Sequence, residues 1–275
     1  MLGFIVPIKP KQYSKNWNLD NAILERTVKS ICNQNSQDFK LIIVYTDKPE
    51  ISFSHQNLNY VHFPYADVPV NDIEDWEDRK QWYTPVFAER MMDKSRKIIL
   101  GCKTAKSLGC TYLMGVDSDD LVSCKLCSFI KDYPEKNCAG WRIARGYVYE
   151  EDAMVAVKNK RIWEMNGSVH IIRADLVNIP DFDSNFRLFD YSLFQSHVYT
   201  YQRLIDFHQE KLAAVPFYGV VYLIHKNNYS KVREIISSNT FKLFIKKILR
   251  GKLVTRKLRD EFGLYPLKNS VNRGN

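Results

Sequence analysis

The chain contains no uninterrupted apolar run near the roughly 20 residues a helix needs to cross a bilayer, which argues against a membrane-spanning protein. Its first residues, Met1-Leu-Gly-Phe-Ile-Val-Pro7, lack a basic stretch and a small-residue cleavage site, so no signal peptide and a cytoplasmic location are expected. No internal repeat and no low-complexity segment occurs. Glycine is missing where two ligand loops would need it. Lys9-Pro10-Lys11, after the first apolar stretch, is not a glycine-rich phosphate loop. The acidic run at Asp117 has neither the turn glycine nor the closing glutamate of an EF-hand.

A disulfide framework is not expected either. The six cysteines, Cys32, Cys102, Cys110, Cys124, Cys127 and Cys138, are spread through a chain read as cytosolic, where buried thiols are the default. Cys124-Lys-Leu-Cys127 has zinc-like spacing but supplies only half a site. The formal charge of +9 is placed unevenly. Lys242, Lys246, Lys247, Arg250, Lys252, Arg256, Lys257 and Arg259 stand against Asp260 alone, which leaves the rest of the chain near neutrality. A nucleic-acid groove across the core is therefore not expected. In this tail Phe241, Leu243, Phe244, Ile245, Ile248 and Leu249 alternate with lysines at near-helical spacing. Two readings stay open: a basic amphipathic helix over 241–259 on an anionic membrane surface, or a helix packed on the main domain with its lysines in water.

What is present begins with 275 residues, 45% hydrophobic and 13% aromatic, enough for a sizeable core. Leu2 to Ile8, Phe39 to Tyr45 and Leu58 to Phe63 read as buried strands, with a helix from Asn18 or Asp20 to Asn33 between the first two. That order makes a βαβ unit with a right-handed crossover. Asp67 to Asp78 reads as a solvated acidic loop, a mobile flap being the alternative. A helix runs from Pro85 towards Gly109, and Val122 to Tyr133 suits another. Trp141–Tyr149, Met154–Val157, Ser168–Arg173 and Val215–Ile224 contain strands, and Asp190–Gln209 suits a helix. The expected fold is α/β, with a Rossmann-like first half, a mixed sheet and a helical tail.

The densest chemistry lies at Thr111-Tyr-Leu-Met-Gly-Val-Asp117-Ser-Asp-Asp120, an apolar strand that ends in three carboxylates. At the carboxyl end of a strand in an open α/β sheet, that is a ligand position. Asp117, Asp119 and Asp120 are too close to ionise cheaply without a counter-charge, which a hard divalent cation would supply. The alternative is a helix start capped by Asp120 or Ser123.

With these motifs in this order the chain resembles the inverting, nucleotide-sugar-dependent glycosyltransferases of family 2. The likeness rests on Phe4-Ile-Val-Pro7, Ile42-Ile-Val-Tyr-Thr-Asp47, Gly115-Val-Asp-Ser-Asp-Asp120 (the family's DxD motif), Asn166-Gly-Ser168, Phe189-Asp190-Tyr191, and Val221-Tyr-Leu-Ile-His225 with Asn227, Asn228 and Ser230. It implies a GT-A-like domain over 1–230, with 1–120 binding the nucleotide-sugar and 121–230 the acceptor, followed by the tail at 231–275. It also implies a metal-dependent transfer from a nucleoside-diphosphate sugar to a hydroxyl of a glycan or lipid-linked acceptor. By the same resemblance Pro7, Asp47 and Asp117 would hold the nucleotide. Asp119 and His225 would bind Mn or Mg, and Asp190 would be the general base, with Asp181 and Asp183 as competitors. A lipid-linked acceptor would favour peripheral contact with the inner membrane face through the tail. Two departures stand out: the second strand ends in Thr46-Asp47-Lys48-Pro49 rather than paired acids, and Phe189 precedes Asp190 where a glutamate is usual. The rival readings are a nucleotidyltransferase, against which the glycine-free Lys9-Pro10-Lys11 counts, and a non-catalytic glycan- or membrane-binding relative.

Overall fold

The structure is a computed structural model that describes residues 1–133, 138–191, 193–194, 198–224 and 250–267. The chain begins with β1 (Leu2–Pro7), α1 (Trp17–Cys32), β2 (Phe39–Tyr45) and β3 (Leu58–His62). A short α2 (Trp76–Arg79) and the long α3 (Pro85–Ser107) lead to β4 (Tyr112–Gly115). Next come β5 (Leu121–Val122), α4 (Leu126–Asp132), β6 (Gly140–Arg142), β7 (Arg145–Glu150), β8 (Val155–Asn159) and β9 (His170–Arg173). Then follow α5 (Leu188–Tyr191), α6 (Thr200–His208), β10 (Ala213–Ala214), β11 (Tyr218–Ile224), β12 (Gly251–Leu253) and α7 (Arg256–Phe262).

The main sheet has the order β10-β6-β9-β4-β1-β2-β3. β4, β1, β2 and β3 run parallel, β9 is antiparallel to both of its neighbours, and β6 again points the way of β4. The α/β class and mixed sheet agree with the sequence. Because β1 leads to β2 on one side while β4 lies on its other side, the strand order reverses between β1 and β4. Ligands of open α/β sheets settle in the crevice at such a reversal. A second sheet, β12-β8-β7-β11-β5, lies beyond it.

The central strands are buried almost throughout because both faces are covered. On one face Val28 and Ile31 of α1 pack with Phe4, Leu41 and Met114; on the other Ile98, Ile99 and Cys102 of α3 pack with Ile5, Ile42 and Val44. Gly101 seats α3, since a Cβ there would stand 2.3 Å from Ile5 Cγ2 and 3.0 Å from Val44 Cγ2. The cysteines are free, and burial pushes the Cys32 thiol up to about 12, as befits core thiols rather than nucleophiles.

Three expectations are corrected by tertiary context. Trp141–Tyr149 is not one strand: β6 joins the main sheet and β7 the second, the chain crossing between them at Ile143 and Ala144. Asp190–Gln209 is not one helix: the described part holds only α5 and α6, separated by turn at 193–194 and 198–199. The acidic stretch 67–78 is not simply solvated. Val68, Ile73 and Asp75 are buried, and Glu74 Oε1 accepts a hydrogen bond from Phe186 N at 3.0 Å.

Residues 241–249, the apolar and lysine-rich part of the tail, lie outside the described residues. Further on, β12 pairs antiparallel with β8, and α7 buries Leu258 and Phe262 beside Leu121 and Tyr147. Gly263 ends α7 with φ +63 while Ser30 Cα stands 3.0 Å from its Cβ position, so only glycine fits both the backbone and the space. Among the described residues no helix is long and apolar enough to cross a membrane.

Glu25 of α1 tethers the loop beyond β2. It accepts hydrogen bonds from Ser52 N (2.7 Å) and Ser52 Oγ (3.1 Å) and pairs with Lys29 at 2.6 Å. Partial burial opposes its ionisation, but these bonds outweigh it and hold the carboxyl below its ordinary value. Its contribution is therefore present above the unfolded value and lost as pH falls through the folded one. Glu25→Gln is expected to cost about 1 kcal/mol at pH 7, with the difference vanishing in acid, as read by urea melts of both proteins across pH.

Candidate functional site

The candidate site lies along the edge where β1, β2 and β4 end. Pro7 closes β1 and pairs in register with Val44 of β2. Asp47 follows β2 by two residues and accepts a hydrogen bond from Lys11 N at 2.7 Å, tying the loop after β1 to the loop after β2. Asp117 follows β4, where Val116 N donates to Ile5 O at 2.8 Å. Pro7, Asp47 and Asp117, far apart in sequence, thus end three adjacent parallel strands at the strand-order reversal.

The acidic loop is a turn closed by Asp120 N donating to Asp117 O at 3.0 Å. The polar residues of α1 hold it from below. Thr27 Oγ1 donates to Ser118 O (3.0 Å), Ser30 Oγ accepts from Val122 N (3.0 Å), and Gln34, just past the helix, donates to Ser123 O (2.9 Å). Thr27, Ser30 and Gln34 fall at helical spacing and are buried. The sequence reading gave this helix no part in the site; the polar stripe Thr27, Ser30 and Gln34, at positions three and four apart, was the missed signal.

The three carboxylates have different environments. Asp120 is buried at 2% exposure, and its Oδ2 accepts Ser168 Oγ at 2.6 Å while Ser168 Oγ also accepts from Asp117 N at 2.9 Å. Burial first, then the charges of Asp119 and Asp117, push the Asp120 carboxyl well above the usual carboxylate range. It thus holds the turn rather than facing a ligand, which answers the question of a helix cap: α4 begins only at Leu126. The Asn166-Gly167-Ser168 turn reaches the same loop, and a Cβ on Gly167 would stand 3.3 Å from Asp117 Oδ2. Asp117 and Asp119 are half-buried at the rim.

The counter-charge that the sequence demanded is a lysine. Lys94 of α3 places Nζ 2.6 Å from Asp117 Oδ1. Partial burial works against its ammonium, but Asp117, Asp119 and Asp120 outweigh it and hold Lys94 above its ordinary value. One turn further along α3, the fully buried Lys97 donates to Ile8 O (2.9 Å) and sits 2.8 Å from Asp93 Oδ1, supporting the chain just past Pro7.

Among the described residues no group of three or more His, Cys, Asp or Glu side chains is arranged to hold a metal ion. The oxygen donors of Asp117 and Asp119 nevertheless fit a hard divalent cation. Magnesium is commonly held by one or two carboxylates, with water and substrate phosphates completing the shell. His225, the expected second ligand, lies outside the described residues.

Asp190 lies on α5. Its Oδ2 accepts Asn185 Nδ2 at 2.8 Å. α5 is held by the buried Asp75, whose carboxylate accepts Leu188 N (2.8 Å), Phe189 N (3.1 Å) and Arg79 Nε (2.7 Å). Asp181 accepts Asp183 N and Ser184 Oγ in a tight exposed turn, and these two bonds hold its carboxyl below the usual range.

No protein-family model matches the chain, and no curated protein matches it. Solved structures do: S. aureus TarS 1–349 in complex with UDP is similar at 10% identity with a TM-score of 0.45, covering 94% of this chain and 68% of that one. A structure of S. aureus TarS is similar at 11% identity and a TM-score of 0.44, covering 94% of this chain and 41% of that one. At these scores the likeness concerns the course of the backbone and carries nothing about the site.

Proposed function

We propose that the chain is an inverting glycosyltransferase that moves a hexose from a nucleoside-diphosphate donor to a hydroxyl of a glycan or lipid-linked acceptor. The observation that carries this reading is the convergence of Pro7, Asp47 and Asp117 on one edge at the strand-order reversal, with the acidic loop and Lys94 beside them. Residues 1–120 would then form the donor half and 121–230 the acceptor half.

Asp47, already an acceptor for a backbone N–H, has the chemistry to accept from the nucleoside base beside Pro7. Asp117 would take the ribose hydroxyls or a metal-bound water. A bound Mn or Mg, held by Asp119 and His225, would supply charge neutralisation of the departing diphosphate. Lys94 holds a positive charge at the same edge, and the buried Ser168–Asp120 bond keeps the loop in place. Asp190 would take the proton of the attacking acceptor hydroxyl. Asp181 is the poorer candidate, because the two hydrogen bonds that stabilise its carboxylate also weaken it as a base.

Lys94 favours a second reading of the same reaction, in which its ammonium replaces the metal and the transfer is cation-independent. Calorimetric titration of UDP, GDP and TDP with and without Mn, on the wild type, Asp119→Ala and Lys94→Ala, separates the two. Nucleotide binding that needs Mn and weakens at least about tenfold in Asp119→Ala is expected. Binding indifferent to Mn but lost in Lys94→Ala would select the second reading. If none of the three nucleotides binds, the donor site is wrong.

A further inference from the structure

The geometry points to a second anion site on the same sheet edge, at Arg142, suited to a phosphate or carboxylate carried by the acceptor. Arg142 ends β6, which points the same way as β4, and pairs in register with His170 of β9. Its strand lies two positions from that of Asp117, or about 10 Å at ordinary strand spacing. The guanidinium lies 5.1 Å from the Trp163 ring centroid and 4.6 Å from that of Tyr201.

Arg142 is half-buried, and its guanidinium has no hydrogen-bond or ion-pair partner among the described residues. Glu164, the acid next to Trp163, is paired instead with Arg161, which also lies over Trp163 at 5.6 Å. Two aromatic rings therefore stand against a permanently charged fork and restrict it, while its N–H groups are left to water. That arrangement suits bidentate capture of a planar or tetrahedral oxyanion, because the side chain has little rotamer freedom left to lose.

The position connects to the proposed chemistry at both ends. Trp163 precedes the Asn166-Gly167-Ser168 turn that touches Asp117 and Asp120. Tyr201 lies on α6 two residues before Arg203, whose guanidinium stands 5.3 Å over Phe189, the neighbour of Asp190. The site is thus linked to the donor edge through the turn after Trp163 and, through α6, to the segment that carries the candidate base. That its anion belongs to the acceptor rests on the glycosyl-transfer reading; the anion site itself does not.

The test is calorimetric titration of the full chain with glucose 6-phosphate, glucuronate and glucose, on wild type, Arg142→Gln and Arg142→Lys, each confirmed folded by its thermal melt. Saturable binding of at least one charged sugar is expected, with no measurable binding of glucose. Arg142→Gln should weaken it by about tenfold or more, and Arg142→Lys by less, since the charge remains but the fork is gone. Whichever of phosphate and carboxylate binds more tightly identifies the anion. UDP affinity should be unchanged in both variants. If UDP fails to bind any of the proteins while the charged sugars still bind through Arg142, the site stands and only its assignment to an acceptor falls. Equal binding of charged and neutral sugars, affinity unaltered by Arg142→Gln, or displacement by UDP without dependence on Arg142 would each overturn the site.

Discussion

Lys97→Met is expected to destabilise the protein by about 3 kcal/mol at pH 7, as read by urea denaturation. Lys97 is fully buried, and its ammonium serves Ile8 O and the Asp93 carboxylate together. Burial pushes the Lys97 ammonium down and the Asp93 carboxyl up, and in each case it outweighs their mutual attraction. Such a pair adds little net stability, yet removing one member leaves the other as an uncompensated charge. Methionine keeps the volume, so the loss is electrostatic rather than a cavity. Two consequences distinguish this from a packing defect. The double variant Lys97→Met/Asp93→Leu should recover much of the loss, though not the bond to Ile8 O. The deficit of the single variant should also shrink as pH falls, because a carboxyl with a raised folded value favours the native state once it is protonated. A deficit that is independent of pH and adds simply in the double variant would refute the account.

Asp75→Ala should act on the other side of the site, lowering turnover by about two orders of magnitude while leaving nucleotide affinity unchanged. The Asp75 carboxylate accepts two consecutive backbone N–H groups, Leu188 and Phe189, and pairs with Arg79. These bonds hold the short helix that carries Asp190, which is too short to persist on its own. Truncation leaves two donors and a poorly exposed guanidinium unsatisfied, at a cost of about 3 kcal/mol, enough to release the segment locally. Amide exchange at Leu188 and Phe189 reports this release whether or not the acceptor is known. Exchange that stays slow, or nucleotide affinity that falls in parallel with turnover, would show that Asp75 is not a local clamp. A buried residue that holds α5 thus lies inside a stretch that composition alone marks as solvated loop. Nothing in the local spacing around Asp75 says that two of its partners, Leu188 and Phe189, stand more than a hundred residues away.

The same limit explains Lys94. Four lysines, at 94, 97, 103 and 106, are spread over α3, and helical periodicity does not say which of them reaches the strand ends. The answer depends on where α3 is seated along the sheet. Gly101 decides that, by letting the helix press on Ile5 and Val44 and thereby bringing Lys97 to Ile8 and Lys94 to Asp117.

The sequence by itself determined the strands β1, β2 and β4, the helix between the first two, and the acidic loop that ends the fourth strand. These are local consequences of apolar runs and of side-chain periodicity, because a segment that must be buried on both faces has few other ways to satisfy its backbone. Tertiary structure alone decided that Asp120 is buried against Ser168, that Lys94 neutralises Asp117, that Asp75 clamps α5 and that Arg142 lies against two rings. Each of these depends on groups distant in sequence meeting at one sheet edge, where burial and charge are set by neighbours that no local pattern names.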